Sequence, residues 1–129
     1  MTERKVAVTG IGVVTPLGCD LDTFWNSLKN GVSGIDRIAE LARGLQQAVG
    51  ATDYDCKIAG EIRNFNATPF FKNAKDVRRN DRYAQLAMAA AKLAFQDGGI
   101  DVEKTDTTRF GCIVGSGIGG LKTLEDQHT

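Results

Sequence analysis

The chain reads as an α/β protein with a mostly parallel sheet. Three observations predict this class. Two continuous apolar runs, Lys5 to Thr9 and Phe110 to Val114, each lead into a glycine-rich turn. Uninterrupted apolar character suits a strand covered on both faces, and such strands belong to parallel sheets. Segments with helical spacing lie between and after the runs, and strands spaced by helices define the α/β class. The 129 residues, 42% of them hydrophobic, suffice for one compact domain with a core.

The elements follow in order. Gly10-Ile11-Gly12 ends the first strand, and Pro16-Leu17-Gly18 continues the loop. Asp20 caps a helix over Leu21 to Lys29, because its carboxylate accepts from amides that have no partner in the first turn. Leu21, Phe24, Trp25 and Leu28 fall at i, i+3, i+4 and i+7, one apolar stripe. Gly31 stops this helix. Residues 32 to 67 carry weaker signals. Ile35 and Ile38 anchor a surface-crossing segment, while Gly44, Gly50 and Asp53-Tyr54-Asp55 mark turns. Lys57 to Ile62 reads as a short edge strand. Thr68-Pro69 opens a short helix with proline at its first position.

Asp81 to Gln96 is the strongest helix. Tyr83, Leu86, Ala87, Ala90, Leu93 and Ala94 form one face, widened by Met88, Ala91 and Phe95. Helices this rich in alanine pack on more than one side. Gly98-Gly99 ends it, and Asp101 to Thr108 is a polar connection to the second strand. A last helix starts at Leu121 and runs to Gln127.

Composition excludes several classes. The 16 basic and 16 acidic side chains cancel, so no global charge draws the chain to nucleic acid or membrane. No run approaches the roughly 18 apolar residues that span a bilayer. The N-terminus enters a strand pattern at once without a signal-peptide core, which predicts a cytoplasmic protein. Cys19, Cys56 and Cys112 are odd in number and widely spaced, which suits neither a disulfide framework nor a zinc site.

Four features invite a chemical reading. Gly115, Gly117 and Gly120 have the G-x-G-x-x-G spacing of a dinucleotide fingerprint, between a strand and a helix. The competing reading is tight strand–helix packing with close backbone approach. Cys19 precedes a helix start, but Asp20 beside it opposes a thiolate, and Cys112 reads as an inert core residue in mid-strand. His128 and Glu125 share a helix face, yet two ligands do not make a metal site. Lys75, Arg78, Arg79 and Arg82 fall at i, i+3, i+4 and i+7, so one continuous helix would present a cationic face suited to an anionic partner. Too few aromatics interleave with them to favour nucleic acid.

Taken together, the residues resemble a known family. KVAVTGIGVVTPLG, a helix with phenylalanine and tryptophan, and GVSGI are similar to the amino terminus of the β-ketoacyl-acyl carrier protein synthases. RRNDRYAQLAMAAAKLAFQDGGI followed by FGCIVGSGIGGLKTLEDQHT resembles the elongating, type II branch. The resemblance covers the chain, more weakly over residues 39 to 56.

The resemblance carries expectations of its own. It implies the thiolase-like fold, two similar α/β halves stacked as α-β-α-β-α layers in a homodimer, of which this chain is an incomplete N-terminal half. It implies that the glycine turn packs beside an acyl pocket, with Ile118 contacting the growing acyl chain. Lys75, Arg78 and Arg79 match basic positions that dock the acidic acyl carrier protein, whereas Arg82 does not carry over. No cofactor, metal, nucleic acid or membrane is implied. The family's chemistry uses a cysteine nucleophile in Thr-Ala-Cys-Ser, two histidines and a lysine, and that motif is not among these residues. The expectation is therefore a domain truncated before the catalytic cysteine, with no catalytic residue of its own and no condensing activity alone. The rival readings are a non-catalytic carrier-protein-binding module, a fragment of a polyketide ketosynthase or of its chain-length partner, and a nicotinamide-dependent oxidoreductase.

Overall fold

The computed structural model describes residues 5–38 and 56–128. The turns expected at Gly44, Gly50 and Asp53-Tyr54-Asp55 lie outside the described residues. The chain divides into two compact units, one within residues 15–65 and one within residues 1–14 and 66–129.

The first unit is organised by local signals. Thr15 and Gly18 exchange backbone hydrogen bonds of 2.9 and 3.2 Å around Pro16-Leu17. Helix α1 spans Leu21–Lys29, and the Asp20 carboxylate accepts from the Thr23 amide at 2.8 Å, as a capping aspartate should. Ser27 Oγ donates to the Leu17 carbonyl at 3.0 Å and fastens the helix to the turn. At the far end Gly31 takes a left-handed φ of 66°. There Val32 N donates to Ser27 O and Gly31 N to Leu28 O, the paired bonds of a Schellman end. The apolar stripe forms as spaced, but Leu21, Trp25 and Leu28 stay exposed and only Phe24 is half-buried.

The sheet differs from expectation. The described residues contain one two-stranded antiparallel ladder, β1 (Asp36–Arg37) with β2 (Ile58–Ala59), pairing Asp36 with Ala59 and Arg37 with Ile58. The strand expected within Lys57 to Ile62 is thus present but short, and its partner is the segment read as a surface crossing. The parallel strands expected at Lys5–Thr9 and Phe110–Val114 are not laddered among the described residues. Val6 is 93% exposed and Ile113 100%. Apolar runs become strands only when a neighbour accepts and donates beside them, and no described segment does so here.

The second unit is built on a long helix. Ala67, the buried N-cap residue, opens a 3-10 turn at Thr68–Phe70 that carries Pro69, so the helix expected from Thr68 is a single tight turn. Helix α2 follows at Ala74–Arg79, then α3 at Arg82–Asp97 and α4 at Leu121–His128. Helix α3 packs on the 3-10 turn, and Ala89, with no exposed surface, is its buried residue. Ala89 lies outside the face that the spacing picks out. On α3's C-terminal half the backbone of Gly10 and Gly12 comes in close. A methyl group at Gly12 would overlap the Ala90 carbonyl and fall 2.9 Å from Leu93 Cβ. Ile11 N also donates to Asp97 Oδ2 at 2.8 Å. The alanines of α3 are therefore the flat side of a close backbone crossing, which larger side chains would hold apart. Helix α3 ends as α1 does: Gly99 has φ 60°, Ile100 N donates to Phe95 O and Gly99 N to Gln96 O. Phe95 and Phe110 pack at a centroid distance of 5.3 Å and tie the end of α3 to the segment before the glycine turn.

Candidate functional site

Three groups of residues invite a chemical reading from the sequence, and two of them lie on the second unit. The first is the glycine turn. Ser116 Oγ accepts from Gly119 N at 3.0 Å, and Gly119 has φ 77°, which favours glycine. A methyl group at Gly115 or Gly117 would meet nothing within 4 Å. Ile118, expected to touch an acyl chain, is 77% exposed on this turn.

Gly120 is the N-cap residue of α4, since Leu124 N donates to its carbonyl at 3.0 Å. Glycine has no side chain with which to cap. The cap comes from elsewhere in the chain. Asp81 Oδ2 accepts from Thr123 N at 3.0 Å and from Thr123 Oγ1 at 2.7 Å, across 42 residues of sequence. A methyl group at Gly120 would lie 3.2 Å from the same oxygen, so the glycine leaves room for the carboxylate. The Thr123 hydroxyl first and its amide second hold the Asp81 carboxyl below the ordinary carboxylate range.

This arrangement bears on the dinucleotide reading. A pyrophosphate in such a fold sits on the amides at the helix N-terminus. Here those amides face a carboxylate of the chain itself, and a second anion would meet fixed negative charge. The third glycine of the spacing serves an internal cap.

The second group is basic. Lys75, Arg78 and Arg79 project from α2 at i, i+3 and i+4 and are exposed. Among the described residues no carboxylate forms an ion pair with any of the three. Arg78 and Arg79 lie in the last turn of α2, where cations also favour the helix dipole. Arg82 does not extend this face as the i+7 spacing suggests. Asn80 and Asp81 are extended, at ψ 134° and 158°, and Arg82 begins a separate helix. Asn80 and Gln85 close the break. Asn80 Nδ2 donates to Asp76 O at 2.7 Å, and Gln85 Nε2 donates to Val77 O at 2.9 Å and Asn80 O at 2.8 Å.

The third group is the cysteines and the histidine. Cys19 is half-buried, Cys56 is exposed with its thiol on the Ile58 carbonyl at 3.3 Å, and Cys112 is exposed. The core role expected for Cys112 fails because its segment has no covering layer among the described residues. His128 lies at the exposed end of α4. Among the described residues no group of three or more His, Cys, Asp or Glu is placed to hold a metal, and no helix is long and apolar enough to cross a membrane.

The first unit holds a cleft of about 330 Å3, with Thr15, Cys19, Ser33, Asp36, Glu61 and Arg63 on its walls. Arg63 reaches Asp36 and Glu61, each at 2.9 Å, and also donates to the Arg37 carbonyl. The Arg37 amide first and Arg63 second hold the Asp36 carboxyl low. The guanidinium clamps β1 to the segment after β2, so its charge is spent on the fold.

Asp81 is not among the residues that motif spacing singles out. The signal for it is Gly120, a helix start without a capping side chain, which demands an acceptor from outside.

Residues 3–129 match the family model described as Beta-ketoacyl synthase, N-terminal domain. The chain belongs to this family. It is 35% identical over its whole length to 3-oxoacyl-[acyl-carrier-protein] synthase 2 of Synechocystis sp., of which it covers 29%. It is 36% identical over 126 residues, 98% of the chain, to the protein of that name from Staphylococcus aureus strain COL, of which it covers 28%. The chain thus spans under a third of the length of these relatives.

Proposed function

We propose that the chain is the N-terminal part of a condensing enzyme of fatty acid elongation, a 3-oxoacyl-acyl carrier protein synthase. The observation that carries this reading is the family match over nearly every residue, with relatives of one name covering the whole chain. The reaction is a decarboxylative Claisen condensation. A cysteine thiolate outside these 129 residues takes the acyl group from its carrier as a thioester. Malonyl-carrier protein loses carbon dioxide, and the resulting enolate attacks the thioester carbonyl. The cysteine thiolate leaves, and the product is two carbons longer. Groups that stabilise the enolate and the oxyanion also lie outside this chain. The rest of the thiolase-like layers, a homodimer and a cytoplasmic location belong to the same proposal.

Within the chain, Lys75, Arg78 and Arg79 receive the acidic carrier protein. Their support is a cationic face on α2 that no carboxylate of the described residues neutralises. Ile118 limits the acyl pocket, flanked by glycines that let other backbone approach.

The test is an elongation assay with acyl- and malonyl-carrier protein. The full-length enzyme turns over and the isolated 129 residues do not. Absence of turnover by the full-length enzyme with every acyl chain overturns the reading. Charge reversal in R78E and R79E weakens carrier binding at low salt, each exposed pairing contributing up to about 1 kcal/mol. Unchanged affinity removes the docking assignment.

A further inference from the structure

We infer that Asp81 is a positioning residue, a polar joint that sets the turn bearing Ile118 from the break that follows the docking helix. The inference rests on the reading of Ile118 and of α2 given above, and the joint itself rests on geometry alone. Asp81 sits in the extended break between α2 and α3. On one side, Gln85 holds the last turn of α2 through Val77 O and Asn80 O, and Asn80 closes that turn onto Asp76 O. On the other side, the Asp81 carboxylate takes both donors of Thr123 at the start of α4. Gly119, Gly120 and the Ser116 hydroxyl complete the turn between Cys112's segment and α4.

The consequence is positional. Ile118 is 77% exposed, so little packing among the described residues fixes it. Its backbone is fixed by the Ser116–Gly119 bond and by α4, whose N-terminus hangs on Asp81. A side chain that limits a pocket must be held within a few tenths of an ångström, about 0.5 Å, by supporting contacts. Loss of the carboxylate frees the N-terminus of α4 and loosens the turn, while the cations of α2 remain on their helix. Asp81 therefore governs which acyl chains are accepted, without touching the acyl chain or the carrier.

The experiment uses the full-length enzyme with D81A, T123V and T123S. Hydrogen exchange over residues 116–128 quickens several-fold in D81A, less in T123V, and stays at the wild-type rate in T123S, which keeps both donors. Exchange over α1 is unchanged in all three, which excludes general unfolding. In the elongation assay, D81A shifts the ratio of kcat/KM between long and short acyl chains, and KM for the malonyl carrier stays put. R79E does the reverse. Wild-type exchange over residues 116–128 in D81A overturns the joint, and an unchanged chain-length ratio despite faster exchange overturns its role in selectivity. An inactive wild-type enzyme would instead strike the condensation reading. Faster exchange in D81A would then still support the joint, and unchanged exchange would still overturn it.

Discussion

Helices α1 and α4 both begin on an aspartate that accepts from the amide of a threonine, but the two aspartates stand at very different removes. Asp20 lies three residues before Thr23, and Asp81 lies 42 before Thr123. The same contrast runs through what surrounds them. Helix α1 is closed by its neighbours in sequence: Asp20, Ser27 on Leu17, and Gly31. Helices α3 and α4 are set by residues that come from far along the chain, Gly10 and Gly12 on α3 and Asp81 on α4. One region is assembled from local chemistry, and the other exists only once the chain has folded back on itself.

The contrast is broken most sharply at Gly12. An added methyl group overlaps the Ala90 carbonyl, and helix backbone cannot move aside as a flexible side chain can. G12A lowers the stability of the second unit by about 1–3 kcal/mol, the usual cost of overpacking. Denaturant titration read at Tyr83, on α3, measures it, and an unchanged midpoint refutes the close crossing.

Next comes Gly31, which has φ 66° and open space around it. Only backbone strain opposes G31A there, about 1 kcal/mol, and the loss falls on the C-terminal turn of α1. Circular dichroism and amide exchange at Gly31 and Val32 report it. Exchange in α3 stays constant if the first helix is locally determined.

The mildest test is acid. The Thr23 amide first holds the Asp20 carboxyl low, and the Thr123 hydroxyl first holds Asp81 low. A carboxyl held below its unfolded value of about 3.9 contributes fully above that value. That contribution is lost as pH falls through the lower folded value. The Thr23 and Thr123 amides therefore keep their chemical shifts from pH 7 to 5 and each moves only below about pH 4. D20N abolishes the movement at Thr23 alone, and D81N that at Thr123 alone. Movement at Thr123 above pH 5 contradicts a carboxylate cap.

What could be read from sequence follows the same division. The start, stripe and stop of α1 are legible to the residue, because each depends on side chains within one turn. The extent of α3 is legible within a residue at each end, as Arg82–Asp97 against Asp81 to Gln96. Its packing is not: Ala89 is buried, although periodicity favours Ala87 and Ala90, and the backbone that meets Ala90 and Ala94 comes from Gly10 and Gly12, far along the chain. The cationic stripe is legible for Lys75, Arg78 and Arg79, and fails at Arg82. Asn80 and Asp81 break a spacing that looks continuous on paper. At the glycine turn the pattern is visible, but its reason is not, since the partner of Gly120 lies 39 positions upstream, at Asp81. The apolar runs at Lys5–Thr9 and Phe110–Val114 read as strands but are not laddered among the described residues, because a strand needs a neighbour that the sequence of the run does not name.

Those two runs have a consequence for handling the protein. Neither is laddered with another strand among the described residues, and Val6, Val8 and Ile113 stand in solvent. Open edges of this kind recruit strands from other molecules, and the usual safeguards of proline or a bulge are absent from both. Cys112 sits inside one of them, exposed and outside any disulfide, so an oxidant such as dissolved oxygen can couple the thiols of two copies. We expect the isolated 129 residues to self-associate as concentration rises, covalently under oxidising conditions, which light scattering with and without thiol reductant checks.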